Sequence, residues 1–201
     1  MRNREIGRKS LRWSALLGVV VVASCSQSGS DQVGCFPTEA DALGPFYVAG
    51  TAVTDNLNRF GKSGDYVLVE GMVLSSADDN VPVAGASIEV WQTDGAGDYF
   101  PEDNGHVDDY DDQDIDLRGT VETDEQGAYR FATVAPGAYF PRPRHWHYRI
   151  TGLGYQTLVT QLYVTGDGTI RQPGGDCRHA ALEATEQGFL YAAPTVYLQP
   201  E

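Results

Sequence analysis

Short apolar runs that alternate like strands, cut at close intervals by turn-forming residues, limit what this chain can fold into. Tyr66–Leu74, Ala86–Gln92, Ala128–Ala132, Tyr148–Thr151 and Leu158–Val164 are rich in β-branched and aromatic residues and alternate or run apolar. Between them lie Asp78-Asp79-Asn80, Val83-Ala84-Gly85, Asp124-Glu125-Gln126-Gly127 and Ala135-Pro136-Gly137, all turn chemistry. The pattern predicts an all-β sandwich of mostly antiparallel strands, with long loops and little helix. Only Ala180–Gln187 offers a helical turn or two.

The first two dozen residues stand outside that pattern. Arg2, Arg4, Arg8, Lys9 and Arg12 precede an apolar run from Leu16 to Ala23, too short to span a bilayer, that ends in Val22-Ala23-Ser24-Cys25. This reads as a lipoprotein-type export signal over residues 1–24, with Cys25 as the lipidation site. The alternative is an ordinary secretory peptide. Residues 25–34 then form the lipidated Cys and a flexible tether, and residues 35–201 form the folded domain. The expected location is outside the cytoplasm, as a membrane-anchored lipoprotein facing the periplasm or cell exterior. The leader's five basic residues and one acid (net +4) leave −18 on the remainder, against −14 for the whole chain. So acidic a surface excludes nucleic acid and anionic lipid as natural partners. Oligomeric state is left open.

Setting Cys25 aside, Cys35 and Cys177 remain. In an oxidising compartment a disulfide between them is expected, the alternative being two buried thiols. Closing so long a loop restricts the unfolded chain by about 4–5 kcal/mol on the entropy model. From Asp98 to Asp116 the chain is crowded with acids and lacks Lys and Arg. It lacks EF-hand spacing and reads as a solvated loop, placed to wall a nearby cleft.

The segment Pro136–Ile150 (PGAYFPRPRHWHYRI) concentrates chemistry. His145 and His147 are two apart on what reads as a strand, so both imidazoles share a face. Two histidines suit Zn²⁺, Cu²⁺ or iron. Tyr139, joined to them by a stiff Pro-containing link, favours a hard, strongly Lewis-acidic ion such as Fe(III), because a phenolate ligand at neutral pH needs one. No cysteine is available, which disfavours structural zinc.

Several motifs then occur in a shared order: Leu43-Gly44-Pro45-Phe46-Tyr47-Val48-Ala49-Gly50; Val83–Ala86 leading into Glu89-Val90-Trp91-Gln92 and Ala96-Gly97-Asp98-Tyr99; Arg118-Gly119 followed by Thr123–Phe131; Pro136-Gly137-Ala138-Tyr139; Arg142-Pro143-Arg144-His145-Trp146-His147; and Thr160-Gln161-Leu162-Tyr163. In this the chain resembles the intradiol ring-cleavage dioxygenases over roughly residues 41–167. The resemblance implies Fe(III), non-haem, bound by Tyr99, Tyr139, His145 and His147. It implies a small catecholic substrate and O2, with cleavage between the two hydroxylated carbons to a cis,cis-muconate-type diacid. Tyr139 matches the tyrosine that yields to substrate and takes a proton. Arg142 matches the group that stabilises charge on the substrate, and Gln161 a hydrogen-bonding neighbour. Gly44, Pro45, Phe46 and Tyr47 are expected to line the pocket. Trp146 should point away from the metal, Trp91 should be core, and His106 and His179 should be surface residues. The link from Tyr139 to His145 is shorter than in the large enzymes, and there is no room for the N-terminal helical region through which catechol 1,2-dioxygenases dimerise. Two rivals remain: a non-catalytic transthyretin-like or cell-surface sandwich module, and the same histidines holding Zn²⁺ or Cu²⁺ for hydrolytic or redox work.

Overall fold

A computed structural model describes residues 35–77, 81–166 and 176–201. The lipidation site Cys25 and the boundaries at residues 24 and 34 lie outside the described residues. The strands are β1 (Val48–Ala49), β2 (Tyr66–Ser75), β3 (Ser87–Trp91), β4 (Gly105–His106), β5 (Arg118–Glu122), β6 (Ala128–Val134), β7 (His145–Thr151), β8 (Leu158–Val164), β9 (His179–Ala180), β10 (Leu182–Thr185), β11 (Gly188–Ala192) and β12 (Val196–Leu198). Helix among the described residues is limited to three single 3₁₀ turns, none able to cross a membrane.

One sheet runs β10-β11-β2-β12 with β6 on the far side of β2, and the other runs β5-β3-β7-β8-β9. The long pairings are antiparallel: β2 with β6, β3 with β5 and β7, and β7 with β8. Short parallel pairings complete them, with β11 and β12 laid in turn along β2, β9 on β8 and β1 on β4.

Alternation builds the core between the sheets. Val67, Val69 and Val73 of β2 with Tyr129 and Phe131 of β6 face Ile88 and Val90 of β3, Trp146, Tyr148 and Ile150 of β7, and Leu162 and Val164 of β8. Each fully buried side chain of this kind contributes about 1.5–3 kcal/mol. Strand β7 is buried on both faces from His145 to Tyr148, because loops from elsewhere cover the face that carries the histidines.

Residues 180–187 correct the helical expectation. Leu182–Thr185 is β10, paired antiparallel with β11. Its Leu, Glu and Ala are good helix formers, but local propensity is small beside tertiary context, and pairing with β11, itself seated on β2, overrides it. His179 is also not a surface residue. It is half-buried in β9, its ring 5.1 Å from that of Tyr163. His106 is exposed and caps a 3₁₀ turn. Cys35 and Cys177 form a disulfide with Cα atoms 5.5 Å apart.

Candidate metal centre

The register of one sheet lays out the site. Across it, Arg118 (β5) pairs with Trp91 (β3), Trp91 with His147 (β7), and His147 with Gln161 (β8); two positions along, His145 faces Tyr163. Paired residues share a face, so these side chains all stand on the side away from the inter-sheet core. Trp146, between the histidines, points into that core, is fully buried, and donates from its indole nitrogen to Gln92 Oε1 at 2.7 Å. Trp91 is buried as expected, yet its ring stacks on the imidazole of His147 (centroids 4.8 Å apart, 7° between planes) and fixes its plane.

The tyrosines arrive on two turns that touch backbone to backbone. A Cβ on Gly137 would lie 2.5 Å from Gly97 N and 2.7 Å from Gly95 O, so only glycine permits this approach. Asp94 ties the first turn: Oδ1 accepts from the backbone N–H groups of Ala96, Gly97 and Asp98, and Oδ2 from the Ser63 hydroxyl. Burial pushes the Asp94 carboxyl up, but those hydrogen bonds outweigh it and hold it below the usual 3.8. The second turn is closed by Arg142 N–H donating to Tyr139 O at 2.6 Å.

The donor atoms converge. His145 Nε2 lies 3.0 Å from His147 Nε2, which lies 3.1 Å from the Tyr99 hydroxyl. Tyr139 stands beside them, its ring 5.8 Å from that of Tyr99 and 5.9 Å from that of His145. Donors at right angles around an ion with bonds of about 2.1 Å stand about 3.0 Å apart, so these spacings match adjacent positions of one coordination sphere. His145 Nδ1 is 2.6 Å from Pro143 O, which places its proton on Nδ1 and leaves the Nε2 lone pair free to ligate. Nδ1 of His147 is buried without a well-formed hydrogen bond.

Burial drives His145 down to about 4 and, helped by His145 and Arg142, drives His147 well below its usual value. Both imidazoles are therefore neutral at physiological pH, as ligands must be. Burial, with Tyr139 adding, raises Tyr99 well above the ordinary phenol range, so ionising it requires a cation at this point. Among the described residues no group of three or more His, Cys, Asp or Glu is placed to hold a metal ion. The groups that stand beside the histidine pair are phenols. The residues fit a hard, trivalent-type ion better than zinc or copper.

The pocket residues divide. Gly44 lies against His147, where a Cβ would be 3.1 Å from Cε1, and Phe46 stacks on Tyr99 at 4.3 Å. Pro45 is exposed. Tyr47 is committed elsewhere, its hydroxyl donating to Glu89 at 2.7 Å in a cluster with Arg149, and burial and Glu89 push it up to about 12. Arg142 donates to Gln161 Oε1.

Sequence reasoning missed Arg118 as an individual residue. It is only 2% exposed, and its three donating nitrogens cap the carbonyls of Phe46, Phe100 and Pro101. One guanidinium thereby joins the Phe46 segment to the chain leaving Tyr99. Burial lowers its pKa to about 10. Just before it, Asp116 accepts from Arg59, Phe60 and Leu117 N–H groups and supports Leu117 in the left-handed region at φ 54°. Two surface grooves of about 460 and about 680 Å³ lie along β2 and β6, on the other sheet, and gather no comparable set of ligating groups.

A β-sandwich that gathers two histidines and two tyrosines over one face of a sheet presents a donor set suited to a metal ion. The model of the family described as Dioxygenase matches residues 42–143. The chain belongs to the intradiol ring-cleavage dioxygenase family. It is 35% identical over 156 residues to a hydroxyquinol 1,2-dioxygenase of Rhizobium sp. strain MTP-10005, covering 67% of this chain and 50% of the relative. It is 32% identical to a catechol 1,2-dioxygenase of Candida albicans over 63% of this chain and 46% of the relative. To the protocatechuate 3,4-dioxygenase beta chain of Burkholderia cepacia it is 36% identical over 64% of this chain and 56% of the relative. The chain thus spans about half the length of the curated relatives it matches. In fold it resembles the dioxygenase domain of a dioxygenase carbohydrate-binding protein fusion from Streptomyces sp. SirexAA-E (TM-score 0.65, 24% identity, 82% of this chain, 98% of that one). It likewise resembles 3-chlorocatechol 1,2-dioxygenase of Rhodococcus opacus 1CP (TM-score 0.67, 23% identity, 82% and 73%).

Proposed function

We propose that this chain is a non-haem Fe(III) dioxygenase that cleaves a catechol-type ring between its two hydroxylated carbons. Both atoms of O2 enter the product, a cis,cis-muconate-type diacid. The observation that carries this reading is the convergence of two neutral imidazole Nε2 atoms and the Tyr99 hydroxyl at 3.0 and 3.1 Å, with the Tyr139 ring beside them.

His145, His147, Tyr99 and Tyr139 would hold the ion, which supplies Lewis-acid polarisation of the bound catecholate and its activation toward O2. Within the chain the four donors have different freedom. His147 is held by the Trp91 stack, His145 by Pro143 O, and Tyr99 by Phe46 and the Arg118 clamp. Tyr139 alone is only half-buried and sits on a short turn. It is therefore the donor free to give way to substrate and accept a proton on its phenolic oxygen. Arg142, oriented by Gln161, supplies a fixed positive charge for the catecholate. Gly44 leaves room beside His147 where any side chain would intrude.

Iron-loaded protein should absorb visible light through ferric tyrosinate and consume O2 with catechol, hydroxyquinol or protocatechuate, forming a diacid. A colourless protein at full iron occupancy sinks the ligand set. Absence of uptake across that panel, extended to larger polyphenols, sinks the reaction. His147→Ala should abolish uptake while melting cooperatively.

Export and anchoring through Cys25 belong to the same proposal, supported by the signal-like leader and by a disulfide suited to an oxidising compartment. Metabolic labelling with a fatty acid should mark the wild-type chain and leave Cys25→Ser unlabelled; equal labelling of both refutes it.

A further inference from the structure

Behind Gln161 runs a line of polar groups that the reaction as described does not use. Arg178, 3% exposed, donates from Nη1 to Asp41 Oδ2 at 2.6 Å. The Tyr163 hydroxyl stands between two acceptors, Asp41 Oδ2 at 2.7 Å and Gln161 Oε1 at 3.0 Å. Gln161 Nε2 donates to Ala42 O at 2.8 Å, and Gln161 Oε1 receives Arg142. Tyr163 and Gln161 are fully buried, while Asp41 and Arg142 at the two sides are partly exposed, so the centre of the line is held away from bulk water.

We propose that Arg178, Asp41 and Tyr163 are positioning residues, a buried relay that sets the amide of Gln161 and, through it, the guanidinium of Arg142 over the metal centre.

The proton count explains the order of the groups. Tyr163 has one proton for two acceptors. An unpaired Asp41 carboxylate would monopolise that hydrogen bond and leave Gln161 Oε1 facing a phenolic oxygen lone pair. Arg178 neutralises that carboxylate from the other side, so the proton can be shared with Gln161. The amide cannot flip to escape, because Arg142 requires an acceptor at one end and Ala42 O a donor at the other. Both charged ends ride on segments joined by the Cys35–Cys177 disulfide, Arg178 directly after Cys177 and Asp41 six residues beyond Cys35.

The inference rests on the proposed role of Arg142, so its test includes a measurement that needs neither iron nor turnover. In metal-free protein labelled with ¹⁵N-arginine, the Arg142 side-chain resonance, assigned by its loss in Arg142→Lys, should be sharp and slow to exchange with solvent. Tyr163→Phe keeps the ring and removes the hydroxyl; it should speed that exchange about tenfold, as should Arg178→Met, with Arg178→Lys restoring part of the protection. In iron-loaded protein Tyr163→Phe should lower kcat/KM for catechol about tenfold while leaving the visible band in place. In a Gln161→Ala background the same change should have no further effect, since it acts through that amide. An unmoved Arg142 resonance in Tyr163→Phe, or losses that multiply in the double variant, overturns the relay. A resonance that moves in a protein that consumes no O2 leaves the relay standing and removes the proposed reaction instead.

Discussion

Gln92→Leu should destabilise the domain by about 3 kcal/mol although it exchanges a polar side chain for an apolar one of similar size. Gln92 is fully buried and uses its whole amide. Nε2 donates to Thr93 O at 2.9 Å and Val134 O at 2.8 Å, and Oε1 accepts from Thr133 Oγ1 at 2.6 Å and Trp146 Nε1 at 2.7 Å. Leucine leaves all four partners without it. The Thr133 hydroxyl can rotate toward another acceptor, whereas the Trp146 indole N–H and the two carbonyls are fixed in place. At about 1–3 kcal/mol for each orphaned buried group, offset in part by burying a leucine, the net is about 3 kcal/mol. For a domain of this size that lowers Tm by about 6–12 °C. Urea unfolding followed by tryptophan fluorescence measures it directly, with the slope m unchanged if the native state keeps its compactness. In a double-mutant cycle with Trp146→Phe the second change should cost less than it does alone, because its hydrogen bond is already gone. A loss under about 1 kcal/mol, or strict additivity with Trp146→Phe, would refute the claim that this amide is what secures the tryptophan between the two histidines.

Three further outcomes are expected. Gly137→Ala places a Cβ 2.5 Å from Gly97 N, so the two tyrosine-bearing turns must separate. It should cost about 1–3 kcal/mol and weaken the ferric-tyrosinate band at equal iron, and an unchanged spectrum contradicts the close approach. Arg118→Met removes the clamp on Phe46, Phe100 and Pro101; thermal melting should drop by several degrees, at about 1 kcal/mol per uncapped carbonyl, and iron affinity should fall with it, whereas an unchanged Tm argues against the clamp. Asp94 has its folded pKa depressed below 3.8, so its contribution is present above that value and is lost as pH falls through the folded pKa. Asp94→Asn should therefore be less stable than wild type by about 1 kcal/mol at pH 6, with the gap closing in acid; a gap that persists at pH 2 removes the carboxylate from the account.

The strands that build the core were legible because alternation of apolar residues registers burial directly. The C-terminal strands were not. Leu182–Thr185 reads as helix-compatible, and only pairing with β11, carried by β2, makes it extended. At the site, the histidines announced themselves by spacing, while Tyr99 entered through family resemblance, since nothing local distinguishes it from a rim aromatic. Arg118 stayed hidden for a physical reason: its partners are carbonyls of Phe46, Phe100 and Pro101, and a carbonyl has no signature in sequence. The Arg178–Asp41 pair was hidden by separation, its members standing 137 positions apart.

The tripeptide His145-Trp146-His147 shows why the legible part sufficed to find the site. A strand side chain has period two, so a slip of one residue would exchange the faces of all three. Such a slip would put two imidazoles among Ile88, Val90 and Leu162 and expose an indole to the loops. It would also break the Trp146–Gln92 hydrogen bond and the Trp91–His147 stack together. The core is therefore what fixes the register of the two histidines. The large apolar side chain between the histidines orients them as firmly as any contact they make themselves. That predicts a hierarchy: Trp146→Ala should disperse the site through loss of register and packing, while Trp146→Ile, which keeps an apolar anchor, should retain the ferric-tyrosinate band at reduced stability. Equal retention of the band in both variants would show that the loops alone, and not the sheet, hold the donors in place.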